Sequence, residues 1–445
     1  MSTSLWPAGV SFNNGVLHIS GISAQTLAQD FATPAFFIDE DDFRARAMGW
    51  NKALNQSFGS NAGNVYYAAK AFISVEVARW IADCGIGIDV CTGGELAVAL
   101  AGGIDPQKIE VHGNNKSVSE IERAVAAGVG TIVMDSLFEI ERVATAARKL
   151  GKTQRVLLRL TPGIEAHTHE SIATAHEDVK FGFSIASGAA WNAILEVRKY
   201  PEIELRGFHS HIGSQILNMD SFEIAADRLI GLLAKFRDEF SVQLPELDLG
   251  GGYGIAYLPG DVGLEASEVL PALYSQVKKA CENAKLDIPK VSIEPGRAIV
   301  GPTMFTLYEV GTVKDVTLES GKVRRYISVD GGMSDNIRPS LYGAKYTTSL
   351  ANRSSSAPLV DSRLVGKHCE TGDIVIRDIE LPSDIAPGDL LAVPATGAYG
   401  RSMASNYNHV PRPPVVAVKD GKARVIVRRE TEACLSYTSP SPRDS

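Results

Sequence analysis

From Asn64 to about Arg297 the chain repeats one phrase, a short β-branched or apolar run ending in a polar or glycine-rich turn, followed by apolar positions at helical spacing. The runs predicted as strands are Val65 to Ala69, Ile86 to Val90, Ile109 to His112, Thr131 to Met134, Val156 to Leu160, Leu205 to His209, Glu246 to Leu249 and Val291 to Ile293. Helical patterns cover Ser74 to Asp83, Gly93 to Leu100, Ser117 to Ala127, Leu137 to Leu150, Ser221 to Phe240 and Ser267 to Ala284. Ser117 with Glu120 three residues later reads as a capping box. Eight βα units fit a (β/α)8 barrel better than an open doubly wound sheet, which usually has fewer strands.

A barrel makes a further demand, that chemistry collect at the C-terminal ends of its strands. Unusual polar residues do follow or end the predicted strands: Lys70, Asp89, the turn from His112 to Asn115, Asp135, Arg159, His209, His211, the glycines 250 to 252, and Glu294 to Arg297. After Pro302 the texture changes to strand-like runs, Thr306 to Val316, Lys322 to Val329, Asp373 to Ile379, Leu390 to Pro394, Pro414 to Val418 and Ala423 to Arg428, which predict an all-β domain. Val16 to Ile19 and Ala35 to Asp39 are short runs that can join it. Ala351 to Ser362, with its serine run, reads as a loop, and LSYTSPSPRDS at the end as a disordered or non-native tail. The expected division is residues 1–40 joining the β domain, 41–302 the barrel, 303–432 the β domain and 433–445 the tail.

Composition narrows the function. A net charge of −8 opposes a nucleic-acid or anionic-membrane surface and favours a small-molecule partner. The five cysteines lack paired short spacings, so neither a disulfide framework nor a zinc site is indicated, and reduced thiols are expected. The first residues lack a basic start followed by an apolar run, and no stretch is apolar for long enough to span a bilayer, which places the protein in the cytoplasm.

Four motifs carry candidate chemistry. Lys70 ends the run YYAAK where the barrel opens; a partly desolvated lysine there can lose its proton and attack a carbonyl, although a surface lysine opening a loop is the plain alternative. Gly250 to Gly254, around Tyr253, leave the backbone bare after LDL, so that consecutive N–H groups can converge on a phosphate, or simply make a tight turn. No nucleotide P-loop or dinucleotide fingerprint is present. Glu294, Pro295, Gly296 and Arg297 place an acid at the end of the last strand, suited to keeping a pyridine nitrogen protonated or to a rim salt bridge. His209 and His211 are two apart; a zinc pair lacks an evident third ligand, and one flat ring suits stacking on a cofactor.

Together YYAAKA, GIDVCTGGEL, VHGNNKS, FHSHIGSQI, LDLGGGYG, SIEPGRAIV, VDGGMSDNIRPSLYGA, GKHCETGD and ATGAYGRSMASNYN resemble, in family order, the fold-type III pyridoxal-phosphate decarboxylases, over nearly the whole chain to about Glu432. That family joins a barrel to a β domain and includes diaminopimelate, ornithine and arginine decarboxylases; the resemblance is greatest to the diaminopimelate branch. It implies pyridoxal 5'-phosphate as cofactor, Lys70 as its Schiff-base lysine, His211 stacked on the ring and Glu294 at the pyridine nitrogen. Ser214, Gly252, Pro295, Gly296, Arg297 and Tyr399 would surround the cofactor, with Asp89 on the Lys70 side. Arg297, Arg338, Tyr342, Glu370 and Tyr399 match substrate-contact positions. Cys369 matches a reactive cysteine offered across a homodimer interface, so that active sites are shared between subunits. The implied reaction converts meso-diaminopimelate to L-lysine and carbon dioxide. A far carboxylate and ammonium on the substrate call for both signs, which Arg338 and Glu370 supply, whereas ornithine would leave Arg338 unpaired.

Overall fold

The computed structural model describes residues 5–163 and 180–437, and these divide into two compact units. One holds residues 44–163, 180–255 and 263–299; the other holds residues 5–43, 256–262 and 300–437.

In the first unit eight parallel strands, Tyr66–Ala68, Gly87–Val90, Ile109–Val111, Thr131–Met134, Gln154–Thr161, Ile203–His209, Glu246–Asp248 and Lys290–Ser292, lie side by side in chain order. The first and last meet through a parallel bridge from Val65 to Ile293, where the Tyr66 N–H donates to the Ile293 carbonyl (2.9 Å) and the Ile293 N–H to that of Asn64 (3.0 Å). This closure makes the predicted (β/α)8 barrel, with a further short strand, Phe183–Ser184, paired to Gln154–Thr161. Strands enclosed on both faces have no use for alternation, which is why they read as unbroken apolar runs. The sequence also sets where each helix begins. Ser74 Oγ accepts from the Val77 N–H (3.2 Å), and the Ser117–Glu120 capping box is formed in both directions. The helix Ala189–Val197 was not anticipated.

The second unit is a sheet built on the long strand Met304–Thr317. Along one path the order is Ile374–Pro382, Leu359–Val365, Val323–Val329, Met304–Thr317, Ala35–Asp39, Val415–Lys419 and Lys422–Val427, and Leu390–Pro394 also pairs with Met304–Thr317. One weakly signalled expectation holds and two need correction. Ala35–Asp39, only weakly signalled, is a central strand with all five residues buried, and Phe37 stacks on Phe305 at 5.4 Å. Val16–Ile19 instead sits in a separate three-stranded sheet with Val10–Asn13 and Ile22–Ser23, burying Leu17 and Ile19 in the same core as Phe37 and Phe305. The expected loop from Ala351 to Ser362 gives way at Leu359 to the strand Leu359–Val365, whose Ser362 and Leu364 point inward while Leu359 stays exposed.

Helices Ala24–Phe31 and Glu40–Phe58 precede the barrel, the first capped by Ser23 and the second opening with Glu40, Asp41 and Asp42. The start of the expected tail is ordered as a helix, Glu432–Tyr437, whereas residues 438–445 lie outside the described residues. Among the described residues no helix is long and apolar enough to cross a membrane.

Candidate active site

The barrel strands deliver a group of ionisable side chains to its interior and mouth. Tyr66–Ala68 runs into a single 3-10 turn, Ala69–Ala71, which carries Lys70. Asp89 is the third residue of Gly87–Val90, His112 follows Ile109–Val111, His209 and Asp248 end their strands, and Glu294 stands two residues past Ser292. Asp89, Glu110, His112, His209, Asp248 and Glu294 are all at least 96% buried. So many charges cannot all persist out of water, and their arrangement decides which do.

Glu294 Oε1 lies 3.2 Å from His112 Nε2 and 2.9 Å from His209 Nε2. Burial works against its charge, but the two imidazoles outweigh burial and hold its carboxyl well below the ordinary range. His112 also faces Asp89 (3.8 Å) and Glu110 (3.6 Å), and this acidic company overcomes burial to keep it an imidazolium. Burial wins at His209, whose pKa falls to about 4. Burial likewise raises Asp248 and lifts Glu110 to about 7, Glu294 adding to both shifts. Both imidazoles approach Glu294 Oε1 off the ideal line, so this buried oxygen accepts no well-aligned hydrogen bond among the described residues.

The Lys70 charge is felt by the same group: it lowers the Asp89 carboxyl, which burial raises, and adds to the burial that pushes His211 well below its usual pKa. His211 and His209 take different partners despite their spacing, for His211 Nδ1 accepts from the Gly251 N–H (3.3 Å). The glycine turn is packed against the loop after His211. Gly252 has φ +110°, and a Cβ there would fall 2.4 Å from the Gly213 carbonyl oxygen; one on Gly251 would fall 2.2 Å from that of Glu294. Gly296 is likewise closed in by Ala68, at 2.9 Å from its Cβ. Pro295 and Arg297 are buried beside it, and the Arg297 guanidinium donates to Ser214 Oγ (2.8 Å).

Pyridoxal phosphate fits these residues. Bare peptide at Gly251, Gly252 and Gly296, a buried guanidinium at Arg297 and the Ser214 hydroxyl suit a phosphate, and the ionised Glu294 carboxylate suits a protonated ring nitrogen.

The remaining candidates belong to the sheet unit. Arg338 and Tyr342 begin and end one short helix, Arg338–Tyr342. The Arg338 guanidinium is buried, 4.8 Å from the centre of the Tyr257 ring and 5.6 Å from that of Tyr346, whose hydroxyl it also meets. Cys369 and Glu370 are exposed, with the Cys369 N–H donating to Asn408 Oδ1 (3.1 Å) and the Tyr407 hydroxyl 3.5 Å from Glu370 Oε2. Tyr399 follows Leu390–Pro394 with φ +62° and is half-buried.

Sequence reasoning gave no role to Glu110, His112 or Asp248, although an acid inside a three-residue core strand, IEV, was a readable signal. Tyr257 and Tyr346 had no such signal; only the packing of residues 256–262 with the sheet unit brings Tyr257 to Arg338.

A lysine and an acid at opposite ends of the strand order of a closed parallel barrel, with a phosphate-ready glycine turn, define a pyridoxal-phosphate enzyme. The family model of the pyridoxal-binding domain of pyridoxal-dependent decarboxylases matches residues 40–301, and that of their C-terminal sheet domain matches residues 302–397. Diaminopimelate decarboxylase of Mycobacterium tuberculosis is 55% identical over 436 residues, 97% of this chain and 96% of the relative. That of Bacillus subtilis is 44% identical over 418 residues, 94% of each chain. The crystal structure of diaminopimelate decarboxylase from M. jannaschii in co-complex with L-lysine superposes with a TM-score of 0.91 at 29% identity, covering 98% of both chains. The chain belongs to the diaminopimelate decarboxylase family of pyridoxal-dependent decarboxylases.

Proposed function

We propose that this protein releases carbon dioxide from meso-2,6-diaminopimelate to give L-lysine, the last step of lysine biosynthesis, in the cytoplasm. The observation that carries the substrate choice is Arg338. It is a buried cation framed by Tyr257 and Tyr346, and no ion pair among the described residues supplies it with a carboxylate. A guanidinium kept from water in this way is suited to a bidentate carboxylate, which diaminopimelate has at its far end and ornithine lacks. Glu370 offers the complementary acid for the far ammonium.

When bound, pyridoxal phosphate supplies the electron sink for the bond pair left by the departing carboxylate. The chain's own residues do the rest. Lys70 provides the amine that holds the cofactor and frees the product. Glu294, kept ionised by His112, holds a proton at the ring nitrogen. Arg297, Ser214 and the glycine turn take the phosphate, with Tyr399 beside it; His211 covers a ring face, and Asp89 balances the Lys70 charge. Tyr342 and Arg297 contact substrate. Cys369, or a group it positions, delivers the proton that replaces the lost carboxylate, and its exposure in the sheet unit is in keeping with a thiol presented to the barrel of a second copy in a homodimer with shared sites.

The test is carbon dioxide release by the purified holoprotein from meso-diaminopimelate and from ornithine. Preference for diaminopimelate is expected; preference for ornithine overturns the substrate, and release from neither overturns the activity.

A further inference from the structure

Asp248 ends the seventh barrel strand, is 0% exposed, and has no part in the chemistry described so far. Its two oxygens have different surroundings. Oδ1 accepts from the Gly250 N–H (2.7 Å), the first amide of the glycine turn. Oδ2 has no aligned hydrogen bond among the described residues, and the carboxyl lies in one group with those of Glu110 and Glu294, an oxygen of each within 4.8 Å of the others. Burial raises this acid well above the ordinary carboxylate range, with Glu294 and then Glu110 adding to the shift. Asp248 therefore brings a neutral carboxyl, not a charge, to a turn suited to an anion.

Gly250 is the pivot of that turn. It has φ +68°, and a Cβ there would fall 2.5 Å from the Ser210 carbonyl oxygen, so no side chain of its own can lock it. The lock comes from its neighbours. Asp248 takes its N–H, while its carbonyl accepts from the Glu294 N–H (2.9 Å) and lies 3.4 Å from the Tyr253 hydroxyl. Further on, the Gly251 N–H goes to His211 Nδ1 (3.3 Å) and the Gly252 carbonyl accepts from the Ile216 N–H (2.9 Å). The Gly252 N–H meets no acceptor among the described residues, which suits it to a phosphate oxygen.

The geometry points to Asp248 as the positioning residue that holds the glycine turn in register with Glu294, and so fixes the phosphate end of the pyridoxal phosphate seat relative to its ring-nitrogen end. The inference rests on the reading that this turn takes the phosphate. Asp248 acts through Gly250 and does not itself meet the cofactor. Without it the Gly250 N–H would face the barrel core with no acceptor, and glycine, which has the widest choice of backbone angles, would let the turn swing.

The test titrates the full-length apoprotein with pyridoxal phosphate and with pyridoxal, which lacks the phosphate, and follows the visible band of covalently held cofactor. D248L keeps the size of the side chain and removes the acceptor, whereas D248N keeps an oxygen for the Gly250 N–H and stays neutral. In D248L the preference for pyridoxal phosphate over pyridoxal should fall roughly tenfold to hundredfold, the scale of one buried donor left unsatisfied. Amide hydrogen exchange at Gly250 and Gly251 should quicken with it, while the first barrel strand is unchanged. D248N should keep the wild-type preference, and D248A carries the expectation of D248L if that variant does not fold. G252A, whose Cβ would fall 2.4 Å from the Gly213 carbonyl oxygen, tests the turn itself. A G252A protein with the wild-type preference sinks the reading of the turn as the phosphate site. If G252A loses the preference and D248L keeps it, or if D248L weakens pyridoxal as much as pyridoxal phosphate, the role of Asp248 is overturned. Loss of the preference in D248N overturns it too, since the effect would then come from charge.

Discussion

His209 Nε2 stands 2.9 Å from Glu294 Oε1, and solvent reaches neither side chain to more than 2%. His209 ends the sixth barrel strand and Glu294 follows the eighth, with only Glu246–Asp248 between them in the strand order, so parallel pairing makes the pair. With His112 on the same oxygen, a carboxylate that burial would neutralise is kept charged.

E294Q keeps the volume of that side chain and removes its charge. Carbon dioxide release should fall by roughly a hundredfold or more, the scale of a positioned acid or base, while cofactor still binds. Steady-state kinetics with absorbance titration of the cofactor separates the two effects.

Removing the Lys70 amine should have a different signature. K70A is expected to abolish turnover together with the visible absorption band of covalently held cofactor. Retention of both would end the assignment of this lysine.

Glu110 should make the protein's stability depend on pH. Burial, with Glu294 and Asp89 nearby, raises its folded-state pKa from 4.5 to about 7, so the folded protein holds a proton that the unfolded chain has released. The stability from this group is therefore fully present below the unfolded value and is lost as pH rises through about 7. E110Q, which mimics the neutral acid, should be more resistant to urea than wild type at pH 8 and should flatten the decline between pH 5 and pH 8, about where this group titrates. Urea midpoints measured on the apoprotein across that window decide it.

Arginine at position 338 should not be replaceable by lysine. R338K keeps a charge but loses the planar fork, so the KM for meso-diaminopimelate should rise about tenfold to hundredfold. Activity toward ornithine, which has no far carboxylate, should change little in the same assay.

Much of this architecture is local and was legible along the chain. The barrel strands are short apolar runs broken by polar turns, because each is covered on both faces and opens at a mouth where water and chemistry meet. The same logic picked out Lys70, the glycine turn and Glu294 from their places after predicted strands. Helix starts at Ser74 and Ser117 are written in the residues that cap them.

What the tertiary structure decided depends on partners far apart in sequence. Nothing in AFFID says that it will be a central strand, since its neighbours come from Met304–Thr317 and Val415–Lys419. The parallel pairing of Val323–Val329 with Leu359–Val365, and the arrival of Tyr257 at Arg338, are of the same kind. Protonation belongs here too, because whether Glu110 or Glu294 keeps its charge depends on burial and on which imidazole faces it. Propensity acts over a few residues, whereas desolvation and charge pairing act through space, and only the closed fold sets those distances.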